Sequence, residues 1–354
     1  MPSLLRTCAL FFSLASLTAS ARAQDLNPPL ERQGEPPPER VFGKHIVQTP
    51  AFFPTPFLST HFSFRQGITQ VFVPDFPVTQ TTNVDADLLG IDERIEGGLK
   101  FAKIFEASLF VDGEVISGIN GKSVIVAGSS FSYGGGLAGR VRIFRSEDSG
   151  TEISARVEGS SGKGGSIELL RLANVLVQNR SLGLDAIAQA NVGRLILGNT
   201  TRHKVLGQVL AAQTLGPNFD LQGSLGVGYS FTQYQLYNPD QNRELDQDLK
   251  SVDPQFGIAL GANLNPAAPI GFVLEYEATS RRQVLPGVVE AEWTSPSHLI
   301  GLGINAIHPN FQVGLTIARL METERVRRIS PGGADLTSGK PAVNYAVLQF
   351  ELDW

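Results

Sequence analysis

The stretch NFDLQGSLGVGYSFTQY, Asn218–Tyr234, sets the strongest limit on the fold of this chain. Phe219, Leu221, Leu225, Val227, Tyr229 and Phe231 fall on one parity, and Asp220, Gln222, Ser224, Ser230 and Thr232 on the other. A period of two is that of a strand with one apolar and one polar face. The run also exceeds the roughly five or six residues usual in a soluble strand.

The pattern recurs. IFEASLFVDGEV sets Phe105, Leu109 and Val111 against Glu106, Asp112 and Glu114, and IGFVLEYEATSR sets Ile270, Phe272, Leu274 and Tyr276 against Glu275, Glu277 and Arg281. About twelve such segments follow one another: Leu58–Arg65, Leu89–Ala102, Ile104–Ile116, Ser130–Phe144, Thr151–Gly159, His203–Thr214, Asn218–Gln235, Pro254–Leu264, Pro269–Arg281, Pro296–Ile307, Asn310–Glu322 and Val343–Trp354. Their connections alternate. The short ones are Lys103, RSEDSG, TLGPN, NPAAP and HPN; the long ones are Gln66–Asp87, Ser117–Gly128, Ser160–Arg202, Tyr237–Asp253, Arg282–Thr294 and Thr323–Ala342.

No internal run reaches the roughly 20 apolar residues of a membrane-spanning helix. In hydrocarbon every backbone donor and acceptor must be paired internally, which leaves the closed barrel as the alternative way to span. Alternating strands with short turns on one side and long loops on the other fit it. The fold expected is all-β: a closed antiparallel transmembrane β-barrel of about 12 strands, with a proline-rich N-terminal lead and one short loop helix. A secreted β-sandwich is the rival; its charged parities would merely face water.

Three parts are expected. Residues 1–23, with Arg6, an apolar run from Thr7 to Thr18 and Ala21-Arg22-Ala23, read as a signal peptide cut before Gln24. Its removal takes the only cysteine, excluding disulfides and cysteine-bound metal, and moves the net charge from −5 to −7, because Arg6 and Arg22 leave with no acid. An acidic chain without a basic run argues against nucleic acid as a partner. Residues 24–56 form a proline-rich lead, read as a periplasmic tether or a segment lying against the body, with Phe52, Phe53 and Phe57 anchoring its far end. Residues 57–354 form the barrel. Within it, loop 160–202 is read as holding a short helix with Ser166 as its N-cap, the alternative being an extra strand pair over Leu184–Leu197.

The chain ends YAVLQFELDW. Leu348, Phe350, Leu352 and Trp354 share one face, and Gln349, Glu351 and Asp353 the other. This resembles the C-terminal β-signal of Gram-negative outer-membrane proteins, which implies outer-membrane lipid as surroundings and the barrel assembly machinery as a partner. More loosely, Leu58–Trp354, entered through FFPTPFLSTHFSFRQGI, is similar to the roughly twelve-stranded barrels grouped with the phenol-degradation MetA-pathway proteins. That resemblance implies a transporter-like role and carries no functional residue.

No motif points to catalysis or a cofactor. Ser59, His61 and Ser63 are neighbours on one strand, without the orienting acid that acyl transfer needs. GGGLAG, Gly134–Gly139, matches a dinucleotide fingerprint in form but sits within a strand, where structural glycine is the reading. GINGKS is a loop, and the acidic run NPDQNRELDQDLKSVD is a solvated loop without EF-hand spacing. Functional content lies in the inward charges: Arg94, Glu96, Lys100, Glu106, Asp112, Glu114, Arg140, Arg142, Arg156, Glu158, Glu275, Glu277 and Arg281. Either they line a water-filled pore whose acidic excess favours cationic or neutral small solutes, or they interlock as ion pairs and block the lumen. The leading expectation is a non-enzymatic narrow pore for passive passage of small solutes in the cell outer membrane. The alternatives are a non-conducting, adhesin-like barrel and an outer-membrane hydrolase.

Overall fold

A computed structural model describes residues 39–42, 45–77, 83–167, 197–238, 243–263, 269–279, 297–321, 327–329 and 335–354. The described residues begin with a two-residue ladder, β1 (Val41–Phe42) and β2 (His45–Ile46). The strands β3 (His61–Pro77), β4 (Asn83–Phe101) and β5 (Phe105–Gly118) follow. Then come a helix, α1 (Gly121–Ala127), and β6 (Ser129–Ser146), β7 (Thr151–Ile167), β8 (Leu197–Leu215), β9 (Phe219–Asn238), β10 (Arg243–Ala262), β11 (Ile270–Thr279), β12 (Ser297–His308) and β13 (Phe311–Leu320). After the small pair β14 (Arg327–Ile329) and β15 (Asp335–Thr337), the chain returns as β16 (Ala342–Asp353).

Twelve of these strands close into one antiparallel barrel. Each pairs with its sequence neighbour, and β16 closes the ring on β3 through Phe350↔Phe64 and Leu352↔Phe62. Closure removes both sheet edges. The last backbone N–H, that of Trp354, donates to Thr60 O at 2.9 Å. The terminal segment is therefore the strand that completes the barrel.

Burial is inverted relative to a protein that folds around an oily centre in water. Leu99, Leu109, Leu137, Val157, Leu225, Leu302 and Ile317 are exposed on the outer surface, Leu225 at 65%. Glu106, Glu152, Asp220, Gln222 and Glu275 are buried, Glu152 and Asp220 at 0%. Of these, the carboxylates are almost never fully buried unless paired, and an apolar surface of this extent needs a non-aqueous neighbour. Lipid outside and polar contacts inside satisfy both.

The strands extend further than the alternation implies. The long loops expected over Gln66–Asp87 and Tyr237–Asp253 are mostly the outer ends of β3–β4 and β9–β10; β9 and β10 are 20 residues each. At about 3.4 Å per residue and a tilt of about 40°, 20 residues rise about 50 Å, roughly twice the height of the apolar belt. Beyond the belt the outer face no longer meets lipid, and the outward parity loses its reason to be apolar.

The helix expected in loop 160–202 does not start at Ser166, which belongs to β7 and pairs with Ser130 and Gly198 because both neighbouring strands extend that far; the rest of that expectation falls on residues 168–196, outside those described. The described helix, α1, instead starts within the segment GINGKS, where the sequence implies a loop, and runs on to Ala127. Asn120 caps it, its side chain accepting from Ser123 N at 2.8 Å. Arg281 also lies outside the described residues. Of the tight turns, the one before β7 ends at Gly150, whose φ of 64° suits glycine; a Cβ there would sit 1.7 Å from Thr214 Oγ1.

Candidate functional site: a plugged lumen

Residues 45–60 do not lie outside the barrel. They run through its lumen from the short-turn end, turn near Phe52 and Phe53, and return to start β3 at His61. This revises the periplasmic placement of the lead up to residue 56, and places the first strand three residues later than Leu58. The reason lies in the wall, whose inward polar groups find their partners on this segment.

The segment makes no strand ladder with the wall; side chains hold it. Gln48, 0% exposed, donates through Nε2 to Asn263 Oδ1 at 2.9 Å, Phe272 O at 3.1 Å and Ala262 O at 3.2 Å, and accepts from Asn305 Nδ2 at 2.8 Å. Gln312 grips the backbone of Thr49, accepting from its N–H and donating to its carbonyl, both at 2.9 Å. Glu275 accepts the N–H groups of Ala51 at 2.9 Å and Phe52 at 3.1 Å. His45 Nε2 lies 2.9 Å from Asp220 Oδ2, and Ser59 N donates to Glu106 Oε2 at 2.9 Å. Buried carboxylates that accept backbone N–H groups meet the requirement that buried charge be hydrogen-bonded.

Three wall glycines make room for it. A Cβ at Gly271 would lie 2.4 Å from Gln48 Nε2, one at Gly257 2.7 Å from the Phe53 ring, and one at Gly301 2.9 Å from Phe52. A small apolar cluster of Phe42, Val47, Phe57 and Ala212 packs the plug's base.

At the rim the contacts are ionic. Glu39 meets Lys100, Arg142 at 2.5 Å and Arg145 at 2.9 Å. Arg40 donates to the carbonyls of His308 and Pro309, and its Nε lies 3.5 Å from Asp353 Oδ2. Arg145 escaped the parity reading because β6 carries a register shift between Arg142 and Phe144. The bulge turns Arg145 inward, so it and Arg142 share the 0%-exposed carboxylate of Glu152 at 2.6 and 2.8 Å.

Of the inward charges expected from sequence, Arg94, Glu96, Arg156 and Glu158 form one closed cluster. Arg94 reaches Glu96 at 2.8 Å and Glu158 at 3.1 Å, and Arg156 reaches Glu96 at 3.1 Å and Glu158 at 2.9 Å. The cluster joins β4 to β7 across β5 and β6. It can do so because β6 presents Gly134, Gly136 and Ala138 inward; a Cβ at Gly136 would meet Phe110 at 2.5 Å. That is the structural role of the GGGLAG run. Arg140 pairs with Glu106 at 3.3 Å and with Phe57 O. Glu277 is buried beside Glu275 on β11. Asp112 and Glu114 share the parity of Glu106 on β5 but lie nearer the long-loop end and are exposed. The upper inner wall departs from the polar expectation: Val71, Val73, Phe76, Leu88, Leu299, Leu320 and Val343 form a buried apolar cluster there, with Phe52 of the plug packed against it.

The Ser59 hydroxyl donates to Asp353 Oδ1 at 2.9 Å, while His61 Nδ1 stands 3.5 Å away. Among the described residues, no cluster of metal-ligating side chains occurs.

With this geometry in view, comparison with known proteins is informative at the level of fold. No family model matches the sequence, and no curated protein is found to be related to it. Solved structures do match. The translocator domain of the autotransporter NalP from Neisseria meningitidis aligns over 84% of this chain and 89% of its own, with a TM-score of 0.50 and 8% identity. The COG4313 outer membrane channel from Pseudomonas putida F1 aligns over 87% of this chain and all 100% of its own, with a TM-score of 0.49 and 10% identity. The β domain of the Bordetella autotransporter BrkA gives 0.48 at 8% identity, over 84% and 100%. The fold is that of an outer-membrane β-barrel. Identities this low carry the architecture and nothing about cargo.

Proposed function

We propose that this chain is an outer-membrane channel for small solutes, closed by its own residues 39–42 and 45–60. One observation carries the reading: the occluding segment forms no strand ladder with the barrel and is held chiefly by side-chain hydrogen bonds, ion pairs and small apolar contacts. Each such bond contributes about 1 kcal/mol net, so the segment can leave without breaking the barrel. The two readings of the inward charges divide by place. The Arg94–Glu96–Arg156–Glu158 cluster is a wall brace, and the occlusion belongs to the plug.

The test is conductance of the refolded chain in planar bilayers, beside a version lacking residues 39–57. The full chain is expected to show a low, rarely open state, and the deletion steady channels. A deletion that folds, shifts on gels after heating and still passes no current overturns the proposal. The second reading, a non-conducting barrel whose loops bind partners, is favoured by the ionic brace and would then stand. No catalysis is assigned.

Export by a cleaved signal peptide and recognition of the last strand by the assembly machinery belong to the same proposal. The outward row of Leu348, Phe350, Leu352 and Trp354 supports it, with Trp354 at 66% exposure and so free of any packing role inside. Deleting Trp354 is expected to reduce the folded, heat-modifiable fraction in cells several-fold while leaving refolding in detergent intact. Equal fractions in cells would remove the β-signal reading.

A further inference from the structure

The outward parity of the barrel is apolar along most of its lipid-facing belt. On β5 it reads Phe105, Leu109, Val111 and Val115, all exposed. Charged residues interrupt it at Glu93 on β4 and Arg319 on β13, both exposed. Each lies eight residues from the phenylalanine that ends its strand on the short-turn side, Phe101 and Phe311. At about 3.4 Å per residue and a tilt of about 40°, that is about 21 Å up an apolar belt about 25 Å tall. The two opposite charges therefore share one depth.

Glu93 is hemmed by apolar side chains. Ile91 and Ile95 are its outward neighbours on β4, and Val111 and Val115 flank Gly113, the β5 residue paired with it. Among the described residues its hydrogen bond comes from Gln66 on β3, Nε2 to Oε1 at 2.8 Å. That amide is neutral and brings no opposite charge. Arg319 stands between Ile317 and Met321, both exposed, and has no hydrogen-bond or ion-pair partner among the described residues. A charge on a lipid-facing wall is costly unless it finds a partner. The two cannot meet within one chain. Glu93 is level in the sheet with Leu315, through Gln66 and Leu348, and Arg319 lies four residues further along β13. Three strand spacings of about 4.8 Å and four residues of about 3.4 Å separate them by about 20 Å. A lipid phosphate could neutralise Arg319 but would repel Glu93, so the acid decides for a cationic partner at its own depth.

We infer that this chain associates with copies of itself in the membrane plane, Arg319 of one copy pairing with Glu93 of the next. Barrels standing side by side with parallel axes join groups of equal depth, and these two meet that condition. Gly113 leaves the space beside Glu93 bare of a side chain, which admits a guanidinium to the carboxylate. Such a pair gains from the fork geometry of arginine. The acidic and basic faces are three of twelve strands apart around the barrel, so they are different patches. The contact is therefore heterologous, and its repetition closes a ring of copies. The inference uses only the lipid-facing wall and does not depend on whether the lumen conducts.

The test is cross-linking of the full chain in outer membranes. The chain carries Ile95→Cys and Ile317→Cys, outward neighbours of Glu93 and Arg319, and is treated with a short bismaleimide. A ladder of linked copies is expected. Glu93→Arg and Arg319→Glu, each made alone, should reduce the ladder at least about tenfold, because each sets like charges against one another between copies. The folded, heat-modifiable monomer should be unchanged, since neither side chain touches the lumen. Arg319→Gln removes the charge without reversing it and should reduce the ladder several-fold. Glu93→Arg and Arg319→Glu together should restore it, a recovery that a pair too distant to meet within one chain can show only between copies. No ladder in the parent chain overturns the inference and leaves Glu93 to Gln66 and Arg319 to lipid headgroups. A ladder indifferent to the single exchanges, or one that the combined exchange fails to restore, overturns it as well.

Discussion

The plug is held at two places by different physics. In the deep cradle, Gln48, Thr49 and Ala51 meet Asn263, Asn305, Gln312 and Glu275, which are buried and aimed largely at backbone groups. At the rim, Glu39 meets three cations with its side chain 21% exposed, against 25% for Lys100 and 14% for Arg145. Water can replace the rim partners, and salt screens them over about 8–10 Å at ordinary ionic strength. Nothing replaces the cradle partners until the segment has moved. The cradle should therefore set whether the lumen is closed, and the rim how that closure responds to salt.

The largest effect is expected from Gln48→Leu. The change leaves Asn305 Nδ2, Asn263 Oδ1 and two wall carbonyls facing an apolar side chain, at roughly 1–3 kcal/mol for each group left unsatisfied. The open fraction in bilayers should rise by more than about tenfold, equally at low and high salt. A closed channel in this variant would show that the plug is fixed by its apolar base, Phe42, Val47 and Phe57, and not by the cradle.

Glu39→Gln should act more weakly. A partly exposed carboxylate shared by several cations is worth about 1 kcal/mol, the upper end for surface pairs. Openings should become a few-fold more frequent at low salt, and the difference from the unaltered chain should vanish near 1 M salt, where the screening length is about 3 Å. A salt-independent difference would mean that Glu39 is as desolvated as the cradle, and the contrast between the two places would fail.

How much of this was legible in the sequence follows the same division between repetition and singularity. All twelve barrel strands were readable because lipid and lumen impose opposite chemistry on alternate residues, as in the run from Phe219 to Phe231. Strand ends were not, because β10 begins at Arg243 in a stretch, RELDQDLKSVD, whose sequence does not alternate between apolar and polar residues. Arg145 was hidden by a bulge, which parity cannot see. The plug was marked by its prolines and by Phe52, Phe53 and Phe57, but its place was not. What fixes it is a set of single matches, Gln48 to Asn305 or Gln312 to Thr49, between positions more than two hundred residues apart, and no period announces them. The inward acids were found by parity, while their role changed: Glu106 and Glu275 serve the plug's backbone N–H groups, not a solute path.

The smallest expected effect tests the cradle most directly. At residue 49 the wall reads backbone: Gln312 bonds the Thr49 N–H and carbonyl, and both survive any substitution that keeps the backbone path. Thr49→Val preserves the β-branched shape and removes the hydroxyl, so closure should shift by less than about 0.5 kcal/mol, the range of changes that touch no named contact. Gln312→Leu, which removes the reader instead of the residue read, should open the channel several-fold and leave two buried backbone groups without partners. If the two variants behave alike, the wall recognises the plug's side chains, and a plug of different sequence would not be held. If they differ as expected, the cradle holds a backbone path, and residue 49 is free to vary so long as the groups around it do not.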